Sequence, residues 1–205
     1  MKILEYIKLY FKNKVKIKGK NNKIILEKSK VKENIIDIDG NNNYLKISKG
    51  VKIKNTKISI KGNNIKFVLK ENSKIENSFI EIYGDKNKVL IGRGTSFSGV
   101  RLTSAEEENR IFIGKDCMFS YNIDLRNTDS HKIYKDNILI NQGKRVIIKD
   151  RVWIGAGVNI LKGVFINSNN IIGAGSLINK SIFEKNVIIV GNPARVIKKD
   201  IEWKR

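Results

Sequence analysis

Aliphatic residues recur along this chain at two fixed intervals. Over the first half the interval is 22 residues: Leu45, Phe67, Val89 and Ile111 form one series, Ile47, Leu69, Ile91 and Ile113 a second, and Ile53, Ile75, Phe97 and Phe119 a third. Val51, Ser73, Thr95 and Cys117 accompany them, always small or β-branched, and Gly40, Gly62 and Gly84 sit among turn formers at the same interval. In the second half the interval shortens to six. Ile148, Ile154, Ile160, Ile166, Ile172 and Ile178 stand in strict register, each followed four residues later by Val152, Val158, Val164, Asn170, Ser176 and Ile182.

Six residues advance an α-helix by about 600°, which is no whole number of turns. The period instead fits a short strand plus a turn, with residues i and i−2 facing the same way. Three such segments close one triangular coil, and stacked coils give identical positions a continuous apolar ladder. The 22-residue interval is then the same coil with about four extra residues at its corners. The expected fold is therefore all-β, a single-stranded parallel β-helix, although counting residues does not set its hand.

Three segments follow. Residues 1–14 carry Ile3, Leu4, Ile7 and Phe11 at helical spacing and read as an amphipathic cap over the end of the core. Residues 15–190 form the β-helix, with degenerate coils to about residue 120, a lapse of the pattern at 126–145 and regular six-residue coils at 146–183. Residues 191–205 form a C-terminal extension in which Ile197, Ile201 and Trp203 are placed to pack.

Composition narrows the function classes. The N-terminal apolar stretch is broken by Glu5, Lys8 and Lys12, so it is neither a secretory signal nor a membrane span. A single cysteine excludes an intrachain disulfide and suits a reducing, cytoplasmic setting. The formal net charge of +21 invites a nucleic-acid partner. Yet the lysines alternate with apolar residues along the whole chain, as expected where they keep strand faces soluble, so no nucleic acid is assigned. An acidic polymer and a compositional bias toward Lys, Asn and Ile both account for the charge.

The chain also resembles a known family. IGRGTS, IGKDCM, IGAGVN and IGAGSL are similar to the six-residue consensus of the hexapeptide-repeat acyltransferases, left-handed β-helices that use acetyl-CoA or related donors. RNTDSHKI at 126–133 resembles the catalytic segment of the sugar acetyltransferase branch, DRVWIGAGVNILKGV at 150–164 its tryptophan-bearing coil, and residues 173–199 its donor-binding coil and exit strand. The resemblance covers about half the chain; the first 90 residues match only as repeats. It implies an acetyl-CoA-dependent O-acetyltransferase acting on a sugar hydroxyl of a surface or capsular polysaccharide, and a homotrimer with sites between subunits. N-acetylation of an amino-sugar nucleotide and a non-catalytic β-helix binding module are the alternatives.

Acyl transfer to a hydroxyl needs a base, and a neutral imidazole serves near pH 7. His131 is the chain's one histidine, and it lies where the repeat lapses. One histidine also excludes the three-histidine zinc site of the β-helix carbonic anhydrases, and no metal is expected. Asp129 is placed either to orient the imidazole or simply to form the turn. Asn122, matched to a family position, is either a helper at the thioester oxyanion or acceptor, or a corner residue. Trp153 follows the inward Val152 and so faces outward. The resemblance gives its indole a contact with the donor sulfur, with subunit packing as the other reading. It likewise places the pantetheine arm at Gly155, Gly173 and Ala174, and the CoA phosphates at Lys180, Arg195 and Lys198. Cys117 belongs to the small-residue ladder and is not expected to react.

Overall fold

A computed structural model describes residues 9–205; most of the expected N-terminal cap, residues 1–8, lies outside the described residues. Residues 9–12 are helical, with Leu9 buried but Phe11, expected on the packed face, exposed; the first strand starts at Lys14, so the helix stops short of the expected bound at residue 14.

From Lys14 onward the chain winds as a triangular parallel β-helix. The first face stacks eight strands, from Lys14–Lys18 through Ile123–Arg126 to Leu177–Ile178. The second stacks seven, from Lys23–Leu26 to Phe165–Ile166. The third stacks nine, the last of which, Ala194–Lys198, turns back antiparallel on Ile188–Gly191. Register follows the two sequence intervals: Lys57 pairs with Phe79, 22 residues on, and Trp153 with Ile171, 18 residues on. Three six-residue segments thus make one coil.

The ladders are the core. Leu45, Phe67, Val89 and Ile111 are buried, as are Ile148, Ile154, Ile160, Ile166, Ile172 and Ile178. Phe97 and Phe119 occupy successive coils with ring centroids 4.6 Å apart and planes tilted by 57°, a favourable aromatic contact. Because the side-chain period in a strand is two, a one-residue slip would turn each ladder to solvent, and this holds the register.

Corners explain the turn residues. Gly40 has φ +135°, and a Cβ there would lie 1.9 Å from the carbonyl oxygen of Gly62 in the next coil. Between the second and third faces a column of left-handed residues, Asn72, Gly94, Asp116, Arg151, Asn169 and Asn186, repeats from coil to coil. Glycine and asparagine suit this conformation.

One coil is longer than the rest. Met118 pairs with Trp153, 35 residues on, so 17 residues beyond an 18-residue coil leave the prism at the corner between the first and second faces. This insert carries His131.

Candidate active site

The insert is closed at its neck by buried polar groups. Asn127, with no exposed surface, accepts from Ala105 N at 2.9 Å and donates to Ser104 Oγ at 2.9 Å. Its carbonyl receives Lys144 N at 2.9 Å, joining the two sides of the neck. Glu106 forms a second clasp: one carboxylate oxygen accepts from the Thr128 hydroxyl and the other from Gly143 N, each at 2.7 Å. Beyond the neck, Tyr134–Lys135 and Ile138–Leu139 form a two-stranded antiparallel hairpin. Its turn residues Asp136 and Asn137 have φ of 50° and 61°, the two positive values that a tight hairpin turn of the right twist requires.

His131 lies on the arm leading into this hairpin. The Thr128 hydroxyl accepts from Ser130 N at 2.9 Å, and His131 N donates to Asp129 O at 2.8 Å, so the backbone turns sharply just before the imidazole. The side chain is exposed, and its ring has no hydrogen-bond partner among the described residues. Asp129 makes no hydrogen bond or ion pair with the ring. Its carboxylate accepts from Lys162 Nζ and, at 3.1 Å, from Asn141 Nδ2. Partial burial pushes the Asp129 carboxyl up, but the hydrogen bonds from Lys162 and Asn141 and the charges of Lys162 and Arg126 outweigh it and hold the group below its ordinary value.

Trp153 stands on the third face, 40% exposed, between Met118 and Ile171 in neighbouring coils. The C-terminal segment reaches it. Trp203 is nearly buried against the same face; its indole N–H donates to Arg151 O at 3.2 Å, and the Arg151 guanidinium lies over its ring at 5.5 Å. Arg205 continues down the prism to Gly94 O and Ser96 Oγ. Ile197, placed to pack by its sequence position, is instead 63% exposed, because the antiparallel strand that carries it is the edge of its sheet.

Gly155, Gly173 and Ala174 follow strands of the third face. A Cβ on Gly155 would lie 2.7 Å from Ala174 N, and one on Gly173 would lie 2.5 Å from Val190 Cγ1. Coil stacking therefore accounts for both glycines, and Ala174 is the exposed member of the three. Arg195 and Lys198 project from the antiparallel edge strand, both exposed, whereas Lys180 follows Leu177–Ile178 at the corner between the first and second faces. Asn122 has φ 55° at the corner between the third and first faces, in the column of Asn55 and Asn77, so its backbone conformation alone accounts for an asparagine. Among the described residues no cluster of three or more His, Cys, Asp or Glu side chains could hold a metal ion, and no helix is long and apolar enough to cross a membrane.

Sequence reasoning missed Asn141, Lys162 and Glu106. Nothing in the repeat marks them: Asn141 lies inside the insert, and Glu106 and Lys162 meet it only through the fold.

The solved structure of the polySia specific acetyltransferase NeuO superposes with a TM-score of 0.85 at 32% identity, over 95% of this chain and 90% of that one. The chain belongs to the hexapeptide-repeat acetyltransferases. Its fold is the family's left-handed parallel β-helix. The polysialic acid O-acetyltransferase OatWY aligns over 88% of this chain and 92% of its own, at 31% identity and a TM-score of 0.57. A curated relative, the polysialic acid O-acetyltransferase of Neisseria meningitidis, is 47% identical over 92 residues, a stretch that spans 44% of this chain and 43% of that protein. No protein-family model matches the sequence.

Proposed function

We propose that this chain is an acetyl-CoA-dependent O-acetyltransferase acting on a sugar hydroxyl of a capsular polysaccharide, with an acidic polymer such as polysialic acid as the first candidate. The observation that carries the reading is the likeness to NeuO across nearly the whole chain, with the single histidine on an insert that leaves the coils. The net charge of +21 suits an anionic acceptor.

In this mechanism a ring nitrogen of neutral His131 accepts the proton of the attacking hydroxyl. Acetyl-CoA, when bound, supplies the thioester carbonyl that the hydroxyl attacks; the C–S bond breaks as the acetyl ester forms, and the imidazolium returns its proton to the leaving CoA thiolate. The residues of the third face fit such a donor. Trp153 offers an exposed indole, Ala174 a small side chain at an exposed corner, and Arg195 and Lys198 two exposed cations of the right sign for phosphate. Lys180 lies at another corner and is the weakest of the expected donor contacts.

Trp153, Ala174, Arg195 and Lys198 lie on or beside the third face, whereas His131 leaves the corner between the first and second faces, a strand length on the order of 15 Å away. A site that joins them is naturally completed by a second copy of the chain, which supports the homotrimer expected from the resemblance. Cytoplasmic action is proposed with it, as the single thiol suits a reducing compartment.

The test is CoA release by purified protein given acetyl-CoA and polysialic acid, with amino-sugar nucleotides in parallel to separate O- from N-acetylation. His131→Ala is expected to lower kcat by about 10²- to 10⁴-fold without changing the thermal melt. Near-normal turnover of that variant would remove His131 from the chemistry, and sedimentation of a fully active monomer would remove the shared site.

A further inference from the structure

We propose that Asn141 and Lys162 are positioning residues that lock the His131 arm onto the rigid coil; the inference rests on His131 being the base. The Asn141 side chain meets three alternate residues of the arm. Its Oδ1 accepts from Ile133 N at 2.7 Å, and its Nδ2 donates to His131 O at 2.7 Å and to Asp129 Oδ2 at 3.1 Å. One amide thus spans the backbone on both sides of the imidazole and fixes the direction in which the ring leaves the chain.

Lys162 ties this hub to the prism. It lies two residues beyond Ile160, a fully buried ladder residue, so its backbone moves with the core. Its side chain is only 18% exposed, and its ammonium donates both to the Asp129 carboxylate and, at 2.6 Å, to Asn141 O. A lysine whose head is spent on one carboxylate and one carbonyl of a protruding loop is built into that loop, unlike the solvated lysines of the strand faces. Asp129 is therefore the bridge between the coil and the arm.

Catalytic geometry tolerates little error: a misplacement of about 1 Å costs on the order of 100-fold in rate. Asn141→Ala and Lys162→Met, assayed with acetyl-CoA and polysialic acid, are expected to lower kcat by about 10- to 100-fold. The KM for acetyl-CoA should stay within about twofold and the thermal melt unchanged, because the buried ladders and the donor edge are untouched. Lys162→Arg, which keeps the charge, should recover most of the rate.

Because the chain has one histidine, its imidazole Cε1–H resonance reports the arm without any assay. Asn141→Ala should broaden or split it. Wild-type kcat in both variants beside an inactive His131→Ala overturns the positioning role and leaves the base in place. An active His131→Ala overturns both. Should wild-type protein not use polysialic acid, an imidazole resonance unmoved in Asn141→Ala overturns the inference by itself.

Discussion

The indole rings of Trp153 and Trp203 meet with centroids 6.1 Å apart and planes inclined by 48°. One is an outward residue of a coil and the other belongs to the last few residues of the chain, so the C-terminus forms part of the wall beside the proposed donor edge. An aromatic pair of this kind is worth about 0.5–1.5 kcal/mol beyond the area it buries. Trp203→Ala should free the Trp153 ring and raise the KM for acetyl-CoA by about 2- to 10-fold, with a smaller change in kcat. An unaltered KM, measured by initial rates, would make Trp203 a packing residue only.

Gly155 tests whether stacking or ligand access dictates the glycine. An added methyl meets Ala174 N and, at 3.0 Å, Ile172 O, neither of which can swing aside. Gly155→Ala should destabilise the protein by about 1–3 kcal/mol, the usual range for an overpacked site. Denaturant unfolding reads the loss. A stable variant that binds acetyl-CoA weakly would point to the ligand instead.

Asn122 separates backbone from amide. Its φ of 55° costs an alanine about 1–2 kcal/mol and a glycine almost nothing. Asn122→Gly is expected to fold normally and keep kcat within about twofold, while Asn122→Ala loses about 1 kcal/mol. A fall in kcat of tenfold or more in the glycine variant, at unchanged melting temperature, would assign the amide to the reacting atoms.

Cys117 offers a probe of the core. Burial pushes its thiol up to about 12, against a smaller opposing hydrogen bond from Val152 N. Its Sγ lies 3.1 Å from Lys149 O and has no exposed surface. Native protein should resist iodoacetamide at pH 8 and react fully once unfolded, as mass spectrometry would show. Rapid native alkylation would mean that the coil around residue 117 opens readily.

Part of this molecule is legible one residue at a time. Every coil sets the same problem, an inward pair, an outward residue and a corner, so Ile148 through Ile178 repeat because their surroundings repeat. The same holds for Gly40, Gly62 and Gly84, whose neighbours in adjacent coils leave no room for a Cβ or only tight contact. The lapse that exposes His131 is equally visible, since a broken period marks chain leaving the prism.

What the tertiary structure decided are relations between residues with no common period. Lys162 meets Asp129 across 33 residues, Gly143 meets Glu106 across 37, and Trp203 reaches Trp153 only because the last strand reverses and the tail descends the prism. Periodicity encodes an environment that each coil shares. A clasp between an insert and one particular coil occurs once, and its chemistry is set by which side chains the winding brings to the same corner.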